Sequence, residues 1–145
     1  MATIEKVSGL LGGRKVLGRQ LGSQLDFVPL VRAGFPYAAF ESVAEKLELS
    51  VEAASESLQL PRRTLARRKK EAGRLGSRES ERLLHLAEVA AQAMDVLGTS
   101  DKARAWLVAS NRALGGASPL SLLDTDVGAK VVEEVLLRIE HGVFS

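Results

Sequence analysis

The sequence predicts an all-α protein, and three observations carry that prediction. Leu, Ala, Glu and Arg dominate the composition, and all of them favour helix. Four prolines and six aromatics (four Phe, one Trp, one Tyr) are too few for an ordinary all-β domain. Apolar residues also recur at helical spacing between Gly, Pro, Ser and Thr positions that start and stop helices. With 145 residues, 46% hydrophobic and 26% charged, the chain suits one or two small domains. At this size a fold buries roughly 68–70% of the unfolded surface.

Residues 1–24 are punctuated by Gly9, Gly12, Gly13, Gly18 and Gly22, and are expected to form an extended arm or loosely ordered lead-in. A first helix is expected over Leu25–Ala33, stopped by Gly34 with Pro36 just beyond. Pro36 opens a second helix to about Leu47, with Phe40, Val43, Ala44 and Leu47 on one face. Ser50 is an N-cap for a short helix over Val51–Leu58. After the turn Gln59-Leu60, which has no glycine, Pro61 opens a helix closed by Gly73. A long helix starts near Ser77 or Ser80 and ends at Leu97 before Gly98. It carries two apolar stripes: Leu83, Ala87, Ala90, Met94 and Leu97, and then Leu86, Val89, Ala93 and Val96. Such a helix is central, packed on both sides or shared with a second subunit, and a homodimer or higher oligomer is expected through it.

A boundary is placed near Gly98, dividing the chain into a unit over 25–98 and a smaller helical unit over 99–145. Thr99-Ser-Asp101 caps a helix through Ala109, in which Trp106 is a core anchor. A glycine loop, Asn111–Ala117, and a short helical turn, Leu120–Leu123, follow. Asp124 or Thr125 caps a final helix with Val132, Val135, Leu136 and Ile139 on one face, stopped by Gly142.

The net charge of +2 conceals its distribution. From Glu41 to Leu60 five acids face Lys46 alone, whereas from Pro61 to Arg78 eight bases face Glu71 alone. Val51–Gly73 thus reads as helix, turn and basic helix, the form of a helix-turn-helix whose first helix props the second across the major groove. At 100° per residue, Arg63, Arg67, Lys70 and Arg74 fall within about 60° of one another, opposite Pro61, Leu65 and Ala72. That stripe is suited to phosphates, with Arg62, Thr64 and Arg68 flanking it toward base edges. The plainer reading is a solvated basic helix or one that meets an acidic protein.

Little supports catalysis. Without cysteine there is no disulfide, thiol nucleophile or cysteine metal site. His85 and His141 lie far apart, so a histidine zinc site would need a carboxylate from elsewhere. Gly9–Lys15 lacks the Gly-Lys-Ser/Thr ending of a phosphate loop, and no serine sits in a nucleophile elbow. The glutamates of 41–56 read as solvated helix faces. No apolar run reaches the ~18 residues of a membrane span, and the N-terminus lacks a continuous apolar segment of the secretory kind. The expectation is a cytoplasmic, non-enzymatic protein without cofactor, metal or membrane association. The tail Arg138-Ile-Glu-His-Gly-Val-Phe-Ser145, acidic and aromatic beyond a helix-stopping glycine, is placed to enter a cleft on another protein. A frayed terminus is the competing reading.

Several segments together resemble the Xre/MbcA/ParS antitoxins of bacterial toxin–antitoxin pairs. They are Pro61-Arg-Arg-Thr-Leu-Ala-Arg-Arg68, Ser80-Glu-Arg-Leu-Leu84, Ala103-Arg-Ala-Trp-Leu107, Asn111-Arg-Ala-Leu-Gly-Gly116 and Ser118-Pro-Leu120. Gly128-Ala, Val132-Glu and Leu136–Val143 resemble the end of their toxin-binding domain. The resemblance covers about residues 25–145 and implies an all-α antitoxin: a helix-turn-helix module followed by a small toxin-binding domain. It implies a RES-domain toxin partner that consumes NAD or transfers ADP-ribose, whose active site the C-terminal domain covers. It also implies that the basic helix binds the promoter of its own operon. On that basis Lys130, Glu134, Arg138, Glu140, His141, Val143 and Phe144 are expected to meet the toxin, with Trp106, Leu114 and Pro119 holding the domain's shape. The alternative class is a stand-alone helix-turn-helix regulator with a C-terminal ligand-sensing or oligomerisation domain.

Overall fold

The computed structural model describes residues 3–71 and 73–142. Nine α-helices account for most of them: α1 (Ile4–Leu10), α2 (Gly13–Leu17), α3 (Phe27–Ala33), α4 (Tyr37–Lys46), α5 (Val51–Ser57), α6 (Arg62–Lys70), α7 (Ser77–Leu97), α8 (Ser100–Val108) and α9 (Asp126–Glu140). Short 3-10 turns occupy Gln24–Asp26, Arg112–Leu114 and Leu120–Leu122. Among the described residues the only strand-like pairing is one antiparallel bridge, Pro36 with Arg74. The all-α class holds.

α7 organises the molecule. It is packed by α1 and α3 from the N-terminal part of the chain and by α8 and α9 from the C-terminal part. Leu83, Leu86, Ala87, Val89, Ala90 and Ala93 are each 1% exposed or less, while Met94, Val96 and Leu97 at the C-terminal end of the two stripes are half-buried. Of the two expectations for this helix, the central one packed on both sides is what the fold shows.

Residues 3–24 also differ from their sequence reading. They are two short helices rather than an extended arm, and Val7, Leu10, Leu11, Leu17 and Leu21 join the common core. Thr3 caps α1 by accepting the Lys6 N–H at 3.2 Å, and Lys6 pairs with Asp95 of α7. Glycines break the segment into helices too short to be stable alone. Their stability comes from packing on α7 and α4.

Two hydrogen bonds between residues 35–37 and 73–75 tie the start of α4 to the end of the α6 region: Leu75 N–H to Phe35 O, 2.9 Å, and Tyr37 N–H to Gly73 O, 3.4 Å. Gly34 makes this approach possible, because at φ 88° a Cβ there would sit 2.0 Å from Leu75 O. The buried Ser80 hydroxyl of α7 accepts the Phe35 N–H at 2.8 Å, fixing the same corner to the central helix.

In the C-terminal part, Thr99 caps α8 and Thr125 caps α9, accepting the N–H groups of Lys102 and Gly128 at 3.1 and 3.0 Å. Val132, Val135 and Leu136 of α9 are buried as the periodicity predicts, and Ile139 is half-buried. Trp106 and Leu114 are partly buried against the core and Pro119 is buried. α8 stops at Val108, one residue before the expected Ala109, which is extended at ψ 148°.

Candidate nucleic-acid interface and partner-binding helix

α5 and α6 form the expected helix-turn-helix. The turn needs one residue with positive φ, and Gln59 takes it at 50° although it is not glycine, its side-chain amide donating to Glu56 O at 3.3 Å. Leu58 O accepts from Arg82 of α7 at 2.9 Å, so the central helix grips the turn. Leu65 is the residue α6 buries, and Pro61, Arg62, Arg63, Arg67, Lys69 and Lys70 are exposed.

The bases of this region differ in what holds them. Arg62 pairs with Glu52 at 3.2 Å, Lys69 with Glu41 at 3.6 Å and the half-buried Arg68 with Glu79 at 3.4 Å. Glu79 also accepts the Gly76 N–H at 2.7 Å, so Arg68 is built into the start of α7. Arg63, Arg67 and Lys70 have no ion pair or side-chain hydrogen bond among the described residues, and all three point into solvent. Thr64 is half-buried beside them. Arg74 departs from the sequence reading. The helix ends at Lys70, short of Gly73, so Arg74 lies outside the helical stripe and donates to Gly34 O at 2.9 Å. What remains is a compact stripe of three unengaged cations on an exposed helix.

Lys130, Glu134, Arg138 and Glu140 of α9 and His141, its C-cap, are all exposed. By helical phase Lys130, Glu134, Arg138 and His141 share one face, while Glu140 lies on another, in line with Asp126, Glu133 and Leu137. Val143 and Phe144 lie outside the described residues. The sequence reading passed over Val127 and Val131, which are 72% and 38% exposed and share the face of Glu134 and Arg138. Their signal was present: both fall off the apolar face that packs α9 on α7.

His85 acquires a partner that the sequence did not disclose. Its Nε2 lies 2.8 Å from Asp126 Oδ1 in the first turn of α9, and the ligand-type atoms of Glu81, His85 and Asp126 all lie within 4.8 Å of one another. Arg78 and Arg82 line the same recess, and two guanidinium groups there oppose a cation, so the cluster reads as a polar joint between α7 and α9.

One turn further along the same face of α7, Glu133 is half-buried beside Glu88. Burial, and then the Glu88 carboxylate, push its pKa above the usual carboxylate value, with His85 and Lys130 pulling the other way. Among the described residues no helix is long and apolar enough to cross a membrane.

A tight helix pair with an exposed basic second helix, followed by a helical unit that keeps valines in solvent on its last helix, defines a helix-turn-helix protein with an appended interaction domain. Residues 26–88 match the antitoxin Xre-like helix-turn-helix domain, and residues 92–142 match the antitoxin Xre/MbcA/ParS C-terminal toxin-binding domain. The chain belongs to the Xre antitoxin family. It is 34% identical over 137 residues to Antitoxin Xre of Yersinia enterocolitica, covering 90% of this chain and 92% of that one. It is 38% identical over 84 residues to Antitoxin Xre of Photorhabdus laumondii, 57% of each chain. It is also 26% identical over 132 residues to the Prs ADP-ribosylating antitoxin of a Sphingobium species, 85% of this chain and 83% of that one. Its fold is similar to a chain in the crystal structure of the M. tuberculosis MbcT–MbcA toxin–antitoxin complex, with a TM-score of 0.56 and 24% identity, covering 75% of this chain and 96% of that one. The two matched domains meet inside α7, which therefore serves both.

Proposed function

We propose that this chain neutralises a RES-domain toxin, one that consumes NAD or transfers ADP-ribose, by laying the exposed face of α9 over the toxin's active site. The same chain represses its own operon through α6 in the major groove. The observation that carries the toxin half is the α9 face, where Val127 and Val131 stand in solvent between Lys130, Glu134 and Arg138, inside the segment that matches a toxin-binding domain. Exposed apolar residues framed by charges are the composition of a protein interface rather than of a solvated helix. The three unengaged cations of α6 support the DNA half, since phosphate neutralisation supplies most of the affinity of such modules.

The test is co-expression of the full chain with the RES-domain protein encoded beside it, reading growth rescue and co-purification. The wild-type chain should rescue and retain its partner. Val131→Asp, which places a charge on the exposed face and leaves the core untouched, should lose both while α6 still binds promoter DNA. Full rescue by that variant refutes the α9 assignment. Failure of the wild-type chain to rescue refutes the antitoxin reading for that toxin.

A further inference from the structure

The face of α7 not covered by other helices forms the floor of a groove between α1 and α9, with a volume of about 550 Å³. Ile4 and Val7 of α1 and Leu137 of α9 line it, and Leu137 is 39% exposed. Two carboxylates lie among these apolar walls: Glu88 on the floor and Glu133 on the α9 wall. Glu88 accepts a hydrogen bond from the Gln24 amide at 2.8 Å, but neither carboxylate has an ion-pair partner among the described residues. Gln92, 8% exposed, also lines the groove and donates to Glu133 O at 3.4 Å. Two half-desolvated like charges beside apolar surface raise the energy of the empty groove, and a cation held between them lowers it.

We propose that this groove receives a basic side chain, Arg or Lys, carried on an apolar stretch of the toxin. The inference rests on the toxin-binding reading and adds a second contact on α9, about 120° around the helix from the solvent-exposed valines. Charge complementarity selects the occupant. The groove offers two acceptors and an aliphatic wall, which match a long side chain with a cationic head and a methylene stem. Position selects it too, because the α9 wall belongs to the segment that matches a toxin-binding domain. A toxin side chain that fills the groove while its neighbours meet Val127 and Val131 would clasp α9 from two sides.

The experiment is calorimetric titration of the full chain with the purified RES-domain protein, for wild type, the double variant Glu88→Gln/Glu133→Gln, Leu137→Ala and Val131→Asp. The double variant preserves shape and hydrogen bonding and removes only the charges, and the melting temperature of the free chain checks that it folds. It should weaken binding about ten-fold or more and flatten the salt dependence, as loss of a desolvated charge partner does. Leu137→Ala should weaken binding as well. Wild-type affinity in the double variant, with Val131→Asp still disruptive, overturns the groove proposal and leaves toxin binding standing. Absence of binding by the wild-type chain overturns both. A rise in the free chain's melting temperature with spermidine, combined with wild-type toxin affinity in the double variant, would reassign the groove to a free polyamine and overturn the toxin contact.

Discussion

Replacing Arg63, Arg67 and Lys70 together by Ala tests the α6 interface in a way that separates it from general basicity. These are the bases of α6 that no acid among the described residues engages; Arg62, Arg68 and Lys69 are tied to Glu52, Glu79 and Glu41. Each phosphate neutralised releases counterions and contributes about 0.9 to the slope of log K against log salt, so removing three cations should flatten that slope by about 2.7. Between 50 and 200 mM salt, the advantage of wild type over the variant should shrink by about 1.6 log units, roughly 40-fold. The assay is fluorescence anisotropy on a duplex from the chain's own promoter and on an unrelated duplex, with both slopes expected to fall alike because phosphate contacts carry no sequence. Arg74→Ala is the internal control. Its guanidinium is bonded to Gly34 O outside the helix, so it should lower the melting temperature and leave the slope unchanged. An unchanged slope in the triple variant, or an equal fall in Arg74→Ala, would show that DNA contacts lie elsewhere.

Three further outcomes test the architecture. The Glu133 pKa is raised above its ordinary 4.5 by burial and Glu88, so the folded chain holds a proton that the unfolded chain has released, and the stability tied to it is lost as pH rises through the raised value. Glu133→Gln should therefore melt higher than wild type near neutrality, with the gain vanishing as pH falls below about 4.5; a gain that grows with acid would contradict this. Ser80→Ala strands the buried Phe35 N–H and should cost about 1–3 kcal/mol in urea unfolding, whereas a neutral result would mean another acceptor replaces the hydroxyl. Gly128→Ala would put a Cβ 1.8 Å from Leu122 O, so it should shift the start of α9 and weaken toxin retention along with thermal stability; unaltered retention would separate the helix start from the interface.

The helices from α3 to α9 were legible because their signals are local. Ser50, Thr99 and Thr125 cap, Gly34 and Gly98 stop, and the apolar period of 83–97 runs long enough to mark one central helix. The basic character of α6 and the buried face of α9 followed from the same kind of period. The α1–α2 pair was not legible, because each helix is too short for periodicity to register and is held by tertiary contact with α7. Nor could the sequence say which helices cover the two apolar stripes of α7, since burial depends on where distant helices lie. The ion-pair pattern was decided at the same level. Arg63 and Arg62 are neighbours of one type, yet Glu52, ten residues upstream of Arg62, engages one and leaves the other to solvent. Glu88 and Glu133 became a facing pair only when α9 folded back along α7. Backbone propensity and caps act within a few residues, and the sequence carries them openly. Side-chain pairing across the core depends on helix positions that only the assembled tertiary structure supplies.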